Sequence, residues 1–335
     1  MPASPAPPGT VAVYSNGEAT GEGMAKLPFV AGLRTAFPDT DIVWITAGDT
    51  SYRTLLRPLT TGVIDRFVQI PEAPAGVTPV LFPRKLLVDQ PPDLVIDTQT
   101  RFRTSLWLRR ALPHRRFFCS AFSGLFSGRL SPLRSSRSSR ILDRLLALGA
   151  LAAGAPLSPP PLVIPQKSID QAGALLPPGR DYIGYAVGSA DPKKRWPLDR
   201  FVELIGVRSA MGDVPVIFLG PDELNLYEPL RAVLPDARFP LQTSAAGDPF
   251  LTIALARHLR AAVANDSGGA HLLAAGGAPM IWIFDRAEVR DRYAPASITL
   301  IALAPEDFGG RDMTDVGLEN VNAALDSLLR PLRAC

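Results

Sequence analysis

Short, nearly continuous apolar runs recur along the chain at 11–15, 41–45, 94–97, 182–187, 214–219, 261–265 and 280–284. Such runs, bounded by glycine-rich or polar turns, predict strands buried on both faces, the pattern of a parallel sheet. Between them apolar residues recur at three- and four-residue spacing, as at Leu198, Phe201, Val202 and Ile205. That spacing predicts helices over 24–36, 104–111, from 198 onward, and over 318–329. Strand–helix alternation of this kind builds a doubly wound sheet. It stops at 156–165, where five of ten residues are proline, and then starts again. A chain of 335 residues exceeds the usual size of one core. The pattern therefore predicts two Rossmann-like α/β domains, 1–165 and 166–335, joined by a stiff linker over 156–166 and forming a cleft. Residues 1–10, rich in proline and without an apolar core, read as a disordered arm rather than a signal peptide.

Two turns carry the chemistry. Asn265-Asp266-Ser267-Gly268-Gly269-Ala270-His271 follows one predicted strand and opens a helix that ends at Gly276 and Gly277. A capped helix start with small residues lets a ligand approach bare backbone N–H groups, and the positive end of the helix dipole favours phosphate there. The second turn breaks the strand at 182–187 with Gly188 and Ser189, then runs through Lys193, Lys194 and Arg195 to Trp196 and Pro197, where a helix begins. Cations beside a Gly-Ser turn suit a diphosphate; a solvated basic loop is the other reading of the same residues.

Together these turns resemble glycosyltransferase family nine, the bacterial ADP-heptose:lipopolysaccharide heptosyltransferases. The resemblance rests on Gly188-Ser189 with Lys194-Arg195-Trp196-Pro197, on Gly220-Pro221-Asp222-Glu223 after the strand at 214–219, and on Asp266-Ser267-Gly268 with His271. It implies a GT-B fold, with the terminal helix packing back on the first domain. It also implies an inverting, metal-independent transfer of heptose from ADP-heptose to a lipopolysaccharide inner core or similar glycan. The donor would be held by Gly188, Ser189, Lys194, Glu223, Asp266, Ser267, Gly268 and His271. Asp266 would contact the sugar and Glu223 the ribose, although either acid also suits a helix cap. His271 is open to a place in the sugar pocket or to a structural one. No cofactor is implied.

The same family places a base six residues ahead of a proline, after a glycine. Counting back from Pro28 gives Glu22, preceded by Gly21, where the family carries aspartate. The carboxylate is kept but is one methylene longer, and the preceding turn looks extended through Asn16, Gly17 and Glu18. Glu22 either takes the acceptor's proton, with Lys194 meeting the charge on the leaving diphosphate, or merely satisfies a helix N-terminus. Arg101 and Arg103, after the strand at 94–97, are the candidates for an anionic acceptor, since a guanidinium fork binds carboxylate or phosphate in pairs.

Composition adds one thing. The chain is nearly balanced at +3, yet residues 101–144 hold eleven arginines, no lysine and a single acid, Asp143. This basic block suits an anionic glycolipid or the inner face of a membrane. Its aromatics Phe102, Trp107, Phe117, Phe118, Phe122 and Phe126 are more simply core than a nucleic-acid stack. Two cysteines suit a reducing cytoplasm, and the uncharged run at 145–166 is too broken by proline to span a bilayer. Asp39-Thr40-Asp41 is better explained as a turn than as a metal triplet. Lys26 stands where a dinucleotide fingerprint needs its third glycine. The remaining rivals are a nucleotide-sugar 2-epimerase on the same fold and a non-catalytic glycan-binding descendant.

Overall fold

The computed structural model describes residues 8–86, 90–121, 140–242, 248–295 and 298–330. The first seven residues of the expected arm, Phe122 and Phe126, and the arginines at 129, 134 and 137 lie outside them. The chain divides into two compact units, Met1–Pro161 and Leu162–Cys335, within the proline-rich stretch.

The first unit runs β1 (Thr10–Ser15), α1 (Thr20–Ala36), β2 (Asp41–Thr46), α2 (Arg57–Thr60), β3 (Arg66–Gln69), α3 (Thr78–Leu81), β4 (Leu94–Asp97), α4 (Phe102–Ala111), β5 (Arg116–Cys119) and α5 (Ile141–Ala153). Its five strands are all parallel, in the order β3-β2-β1-β4-β5. The strand order reverses between β1 and β4, so the loops after those strands flank the crevice where doubly wound sheets bind ligands. Val11, Ile42, Val95 and Ile96 are wholly buried, as strands covered on both faces require.

The edge strands β3 and β5 are four residues each and gave no apolar run long enough to predict. Phe117 and Phe118 do enter the core through β5, and Trp107 through α4, whereas Phe102 is 41% exposed. Helix α5 occupies the first part of the uncharged run and ends at Gly154 in the left-handed conformation (φ +76°). It packs on α1, and a Cβ at Gly149 would lie 2.9 Å from Leu157 and 3.0 Å from Phe29. A larger residue there would have to push the Leu157 and Phe29 side chains aside.

The second unit runs α6 (Gln166–Leu175), β6 (Tyr182–Ala186), α7 (Leu198–Ala210), β7 (Val214–Phe218), α8 (Tyr227–Val233), α9 (Pro249–Ala256), β8 (Ala261–Asn265), α10 (Gly268–Ala275), β9 (Met280–Ile283), α11 (Ala287–Tyr293), β10 (Leu300–Leu303) and α12 (Leu318–Leu329). The sheet is again parallel, in the order β10-β9-β8-β6-β7, reversing between β8 and β6. The terminal helix α12, expected to pack back on the first domain, uses its apolar face within its own unit. Val321, Leu325, Leu328 and Leu329 are buried in the core of that sheet, with Ile281 and Ile283 of β9 and Phe201 and Leu204 of α7. A buried guanidinium fixes the arrangement: Arg208 of α7 reaches Asp213 at 2.7 Å and Asp326 of α12 at 2.6 Å.

Candidate active site

The two signature turns of the second unit follow β6 and β8, the strands on either side of its reversal point. They are tied together by a residue the sequence did not single out. Asn265, wholly buried at the end of β8, accepts from the Trp196 N–H at 2.9 Å and donates to the Val187 carbonyl at 2.7 Å. Ser189 adds a third link, its hydroxyl donating to the Asp266 carbonyl at 3.1 Å. Trp196 is buried and anchors the basic turn from beneath, donating through its indole to the Val316 carbonyl at 2.7 Å. An asparagine ending a buried strand looks like any other turn residue; its two partners lie 69 and 78 positions away, which local pattern cannot show.

Lys194 and Asp266 are brought into direct contact, Nζ donating to Oδ2 at 2.5 Å. Burial works against the Lys194 charge, but the Asp266 bond and charge, with Asp285 and Asp191, outweigh it and raise its pKa. Ser267 caps α10, its hydroxyl accepting from the Ala270 N–H at 3.4 Å, so Gly268 and Gly269 present the open N–H groups of the first turn. His271 is buried against Trp282 in an edge-to-face pair with ring centroids 4.7 Å apart. Burial pushes its pKa down to about 4, helped by Lys194 and opposed by Asp266, so the imidazole is neutral at pH 7. Glu223 bonds the Gly220 N–H at 2.7 Å, capping its own turn, while its carboxyl lies directly against Gly188, where a Cβ would meet it at 2.2 Å. Thus Gly188, Ser189, Lys194, Asp266, Ser267 and His271 form one neighbourhood, with Glu223 at its edge.

In the first unit the glycine-rich turn is shorter than expected, because α1 begins at Thr20, one turn ahead of the predicted start. The extension at 16–18 pairs with the loop after β2: Glu18 N–H donates to the Asp49 carbonyl at 3.1 Å and Ser51 N–H to the Glu18 carbonyl at 2.9 Å. Gly17 makes that contact possible with φ +118°, where a Cβ would lie 2.6 Å from the Asp49 oxygen. Glu22 falls in the first turn of α1, its side chain 35% exposed, and ion-pairs at 2.8 Å with Lys26. Nearby, at the end of β4, Asp97 is wholly buried. Its Oδ1 accepts from the Gln99 N–H at 2.9 Å, whereas Oδ2 and the neighbouring Ser105 hydroxyl make no bond of ordinary geometry. Burial pushes the Asp97 carboxyl up to about 7, against the pull of Ser105, the Gln99 N–H and Lys26. Arg101 and Arg103 are exposed at the start of α4. Asp41 of the formal metal triplet is ion-paired with Arg66 instead, and among the described residues no group of three or more His, Cys, Asp or Glu side chains could hold a metal.

The model of glycosyltransferase family 9 (heptosyltransferase) matches residues 84–299. The chain belongs to that family. As a family 9 member it is a glycosyltransferase of the heptosyltransferase type. Solved structures share its fold over nearly the whole length. A family 9 glycosyltransferase from Veillonella parvula DSM 2008 is 19% identical, with 96% of this chain and 97% of that one covered and a TM-score of 0.64. The E. coli ADP-heptose lps heptosyltransferase II is 18% identical, with coverage of 97% and 99% and a TM-score of 0.61. E. coli heptosyltransferase WaaC, solved with ADP, is 17% identical, with coverage of 96% and 98% and a TM-score of 0.61. No curated protein sequence matches the chain.

All the donor-side residues and both acceptor arginines lie inside the span matched by the family, and Glu22 lies outside it. The two-domain, parallel-sheet architecture is the GT-B one of the heptosyltransferases. No helix among the described residues is long and apolar enough to cross a membrane.

Proposed function

We propose that this family 9 enzyme is an inverting, metal-independent transferase that moves heptose, or a closely related sugar, from ADP-heptose to a lipopolysaccharide inner core or similar anionic glycan. The observation that carries the donor side is the convergence of both signature turns at the reversal point of the second sheet, locked by Asn265. WaaC, which shares this fold, was solved with ADP and with ADP-2-deoxy-2-fluoro heptose.

In the proposed step the acceptor hydroxyl oxygen bonds to the anomeric carbon while the bond from that carbon to the diphosphate oxygen breaks. The hydroxyl proton passes to Glu22, and the bonding electron pair stays on the diphosphate. Lys194 carries three N–H donors, one of them on Asp266, so the rest of the ammonium serves the diphosphate together with the first N–H groups of α10. Preorganised donors of this kind are typically worth about 3–4 kcal/mol each when removed. Neutral His271 adds no charge beside the sugar and positions α10 against Trp282. Attack from the face opposite the leaving group makes the product inverted. Arg101 and Arg103 hold acidic groups of the acceptor, and the basic block around them lies against the anionic inner face of a membrane.

The test is a thermal-shift screen of ADP-, UDP- and GDP-sugars followed by turnover with heptose-deficient lipopolysaccharide core. ADP-heptose alone should stabilise the enzyme, by roughly 2.7 kcal/mol at one hundred times its dissociation constant. Glu22→Gln should bind it equally well while kcat falls about 10²–10⁴-fold. Conversion of the nucleotide sugar without acceptor would instead select an isomerase, and binding with no turnover a non-catalytic descendant.

A further inference from the structure

Lys26 is one of only five lysines in the chain, and it is buried, its side chain 1% exposed. A buried ammonium persists only when paired. Lys26 Nζ reaches three oxygens: Ser15 Oγ at 2.8 Å, Glu18 Oε1 at 3.3 Å and Glu22 Oε1 at 2.8 Å. The two carboxylates it joins are unlike. Glu18 is fully enclosed, its side chain 0% exposed, and its Oε2 accepts from the Thr50 hydroxyl at 2.5 Å and the Trp44 indole at 3.4 Å. It neutralises the ammonium but cannot meet an acceptor. Glu22 is one-third exposed and can.

We propose that Lys26 is the positioning residue for Glu22, a role that rests on Glu22 being the base. An ammonium one helical turn further on, itself anchored from below by Glu18 and Ser15, draws the Glu22 carboxylate back along α1. Glutamate is one methylene longer than the aspartate that the family resemblance implies at this place, and it has one more rotatable bond. The contact with Lys26 takes up that length and removes that freedom. The backbone beneath is held as well. The Tyr52 hydroxyl donates to the Gly23 carbonyl at 2.6 Å, and a Cβ at Gly23 would lie 2.7 Å from both Leu56 Cδ1 and Ser51 Oγ. The proton from the acceptor goes to Glu22 alone.

The charged and titratable groups around this carboxylate are Lys26 on α1, Glu18 from the loop after β1, and the Tyr52 phenol. Burial first, and then Glu18 and Glu22, push that phenol's ionisation well above the ordinary range. The Lys26 charge also acts on the buried Asp97 at the end of β4.

Lys26→Met alone strands the Glu18 charge in the interior and is expected to fold poorly, so the decisive variant is the charge-balanced Glu18→Gln/Lys26→Met pair. With ADP-heptose and heptose-deficient core as substrates, kcat of the double variant should fall on the order of ten- to a hundredfold. The KM for ADP-heptose should stay unchanged, because the pair touches only the base. The 13C carboxyl resonance of Glu22, assigned by its absence in Glu22→Gln, should change its chemical shift as the carboxylate is released from the ion pair, without need of any acceptor. A folded double variant with the parent's kcat and 13C carboxyl shift, set beside an inactive Glu22→Gln, overturns the role of Lys26 and leaves the base in place. An active Glu22→Gln removes the base reading itself, and the proposal falls with it.

Discussion

Asn265 offers the sharpest test of how the donor site is built. Replacing it by alanine leaves the Trp196 N–H and the Val187 carbonyl, both in the buried interior, without their partners. An orphaned buried donor or acceptor costs about 1–3 kcal/mol. Two of them, with some relief as the alanine site relaxes, give a loss of about 3 kcal/mol for the second unit. For a unit of this size that corresponds to a fall of roughly 6–12 °C in its melting temperature. The functional effect follows from the same geometry. The turn bearing Ser189 and Lys194 and the turn bearing Asp266 and Ser267 would then be coupled only through Ser189 and the Lys194–Asp266 pair. The affinity for ADP should weaken by about tenfold, the equivalent of roughly 1.4 kcal/mol. Calorimetric unfolding and titration calorimetry with ADP read the two quantities separately. Asn265→Asp serves as a control: it keeps the acceptor for Trp196 but turns an oxygen towards the Val187 carbonyl, so it should be no better than alanine. An Asn265→Ala protein within 0.5 kcal/mol of the parent, or one that loses stability while binding ADP with parental affinity, would refute the reasoning.

Three further outcomes are expected. Asp97 has its carboxyl raised to about 7 in the fold, so its contribution is complete below the unfolded value of about 4 and is lost as pH rises through 7. Asp97→Asn should therefore stabilise the protein at pH 8, by at most about 4 kcal/mol, and do nothing at pH 3.5; urea unfolding at the two pH values decides it. His271 is lowered to about 4, so its stability is complete above pH 6.5 and is lost as pH falls towards 4. That amounts to about 3 kcal/mol of acid destabilisation, which His271→Gln should flatten in a melting-temperature series from pH 8 to pH 4. Arg101→Ala/Arg103→Ala should raise the acceptor KM about tenfold or more and leave ADP-heptose binding intact, because exposed guanidinium forks on α4 touch only the acceptor in this reading. Equal loss on both substrates would count against it.

Much of the fold was legible before any coordinates. The central strands and α12 were readable because each buries a continuous apolar run or a regular stripe, and those patterns are local. The edge strands β3 and β5 were not, since each holds only two or three apolar residues in a row and takes its hydrogen bonds from a neighbour distant in sequence; β10 (Leu300–Leu303) is apolar throughout and was simply missed. Helix α1 was readable in its middle but not at its start. Thr20–Gly23 looks like a flexible glycine turn, and it becomes helical because the Tyr52 hydroxyl and the tight pocket at Ser51 and Leu56 hold it.

The same division holds for the site. The residue types and spacing at Gly188-Ser189, Lys194 and Asp266-Ser267-Gly268 sufficed to name the family, because such turns are composed of a few residues close together in sequence. Which groups bind each other was decided only in three dimensions. Asn265 became a lock, Lys194 met Asp266, Glu223 turned to its own cap, and Lys26 was enclosed between two carboxylates. These pairings depend on strand order, since adjacent parallel strands bring the loops after β6 and β8, or after β1 and β2, to one end of a sheet. Burial then makes each polar group there find a partner or lose stability, and no local pattern encodes a partner seventy residues away.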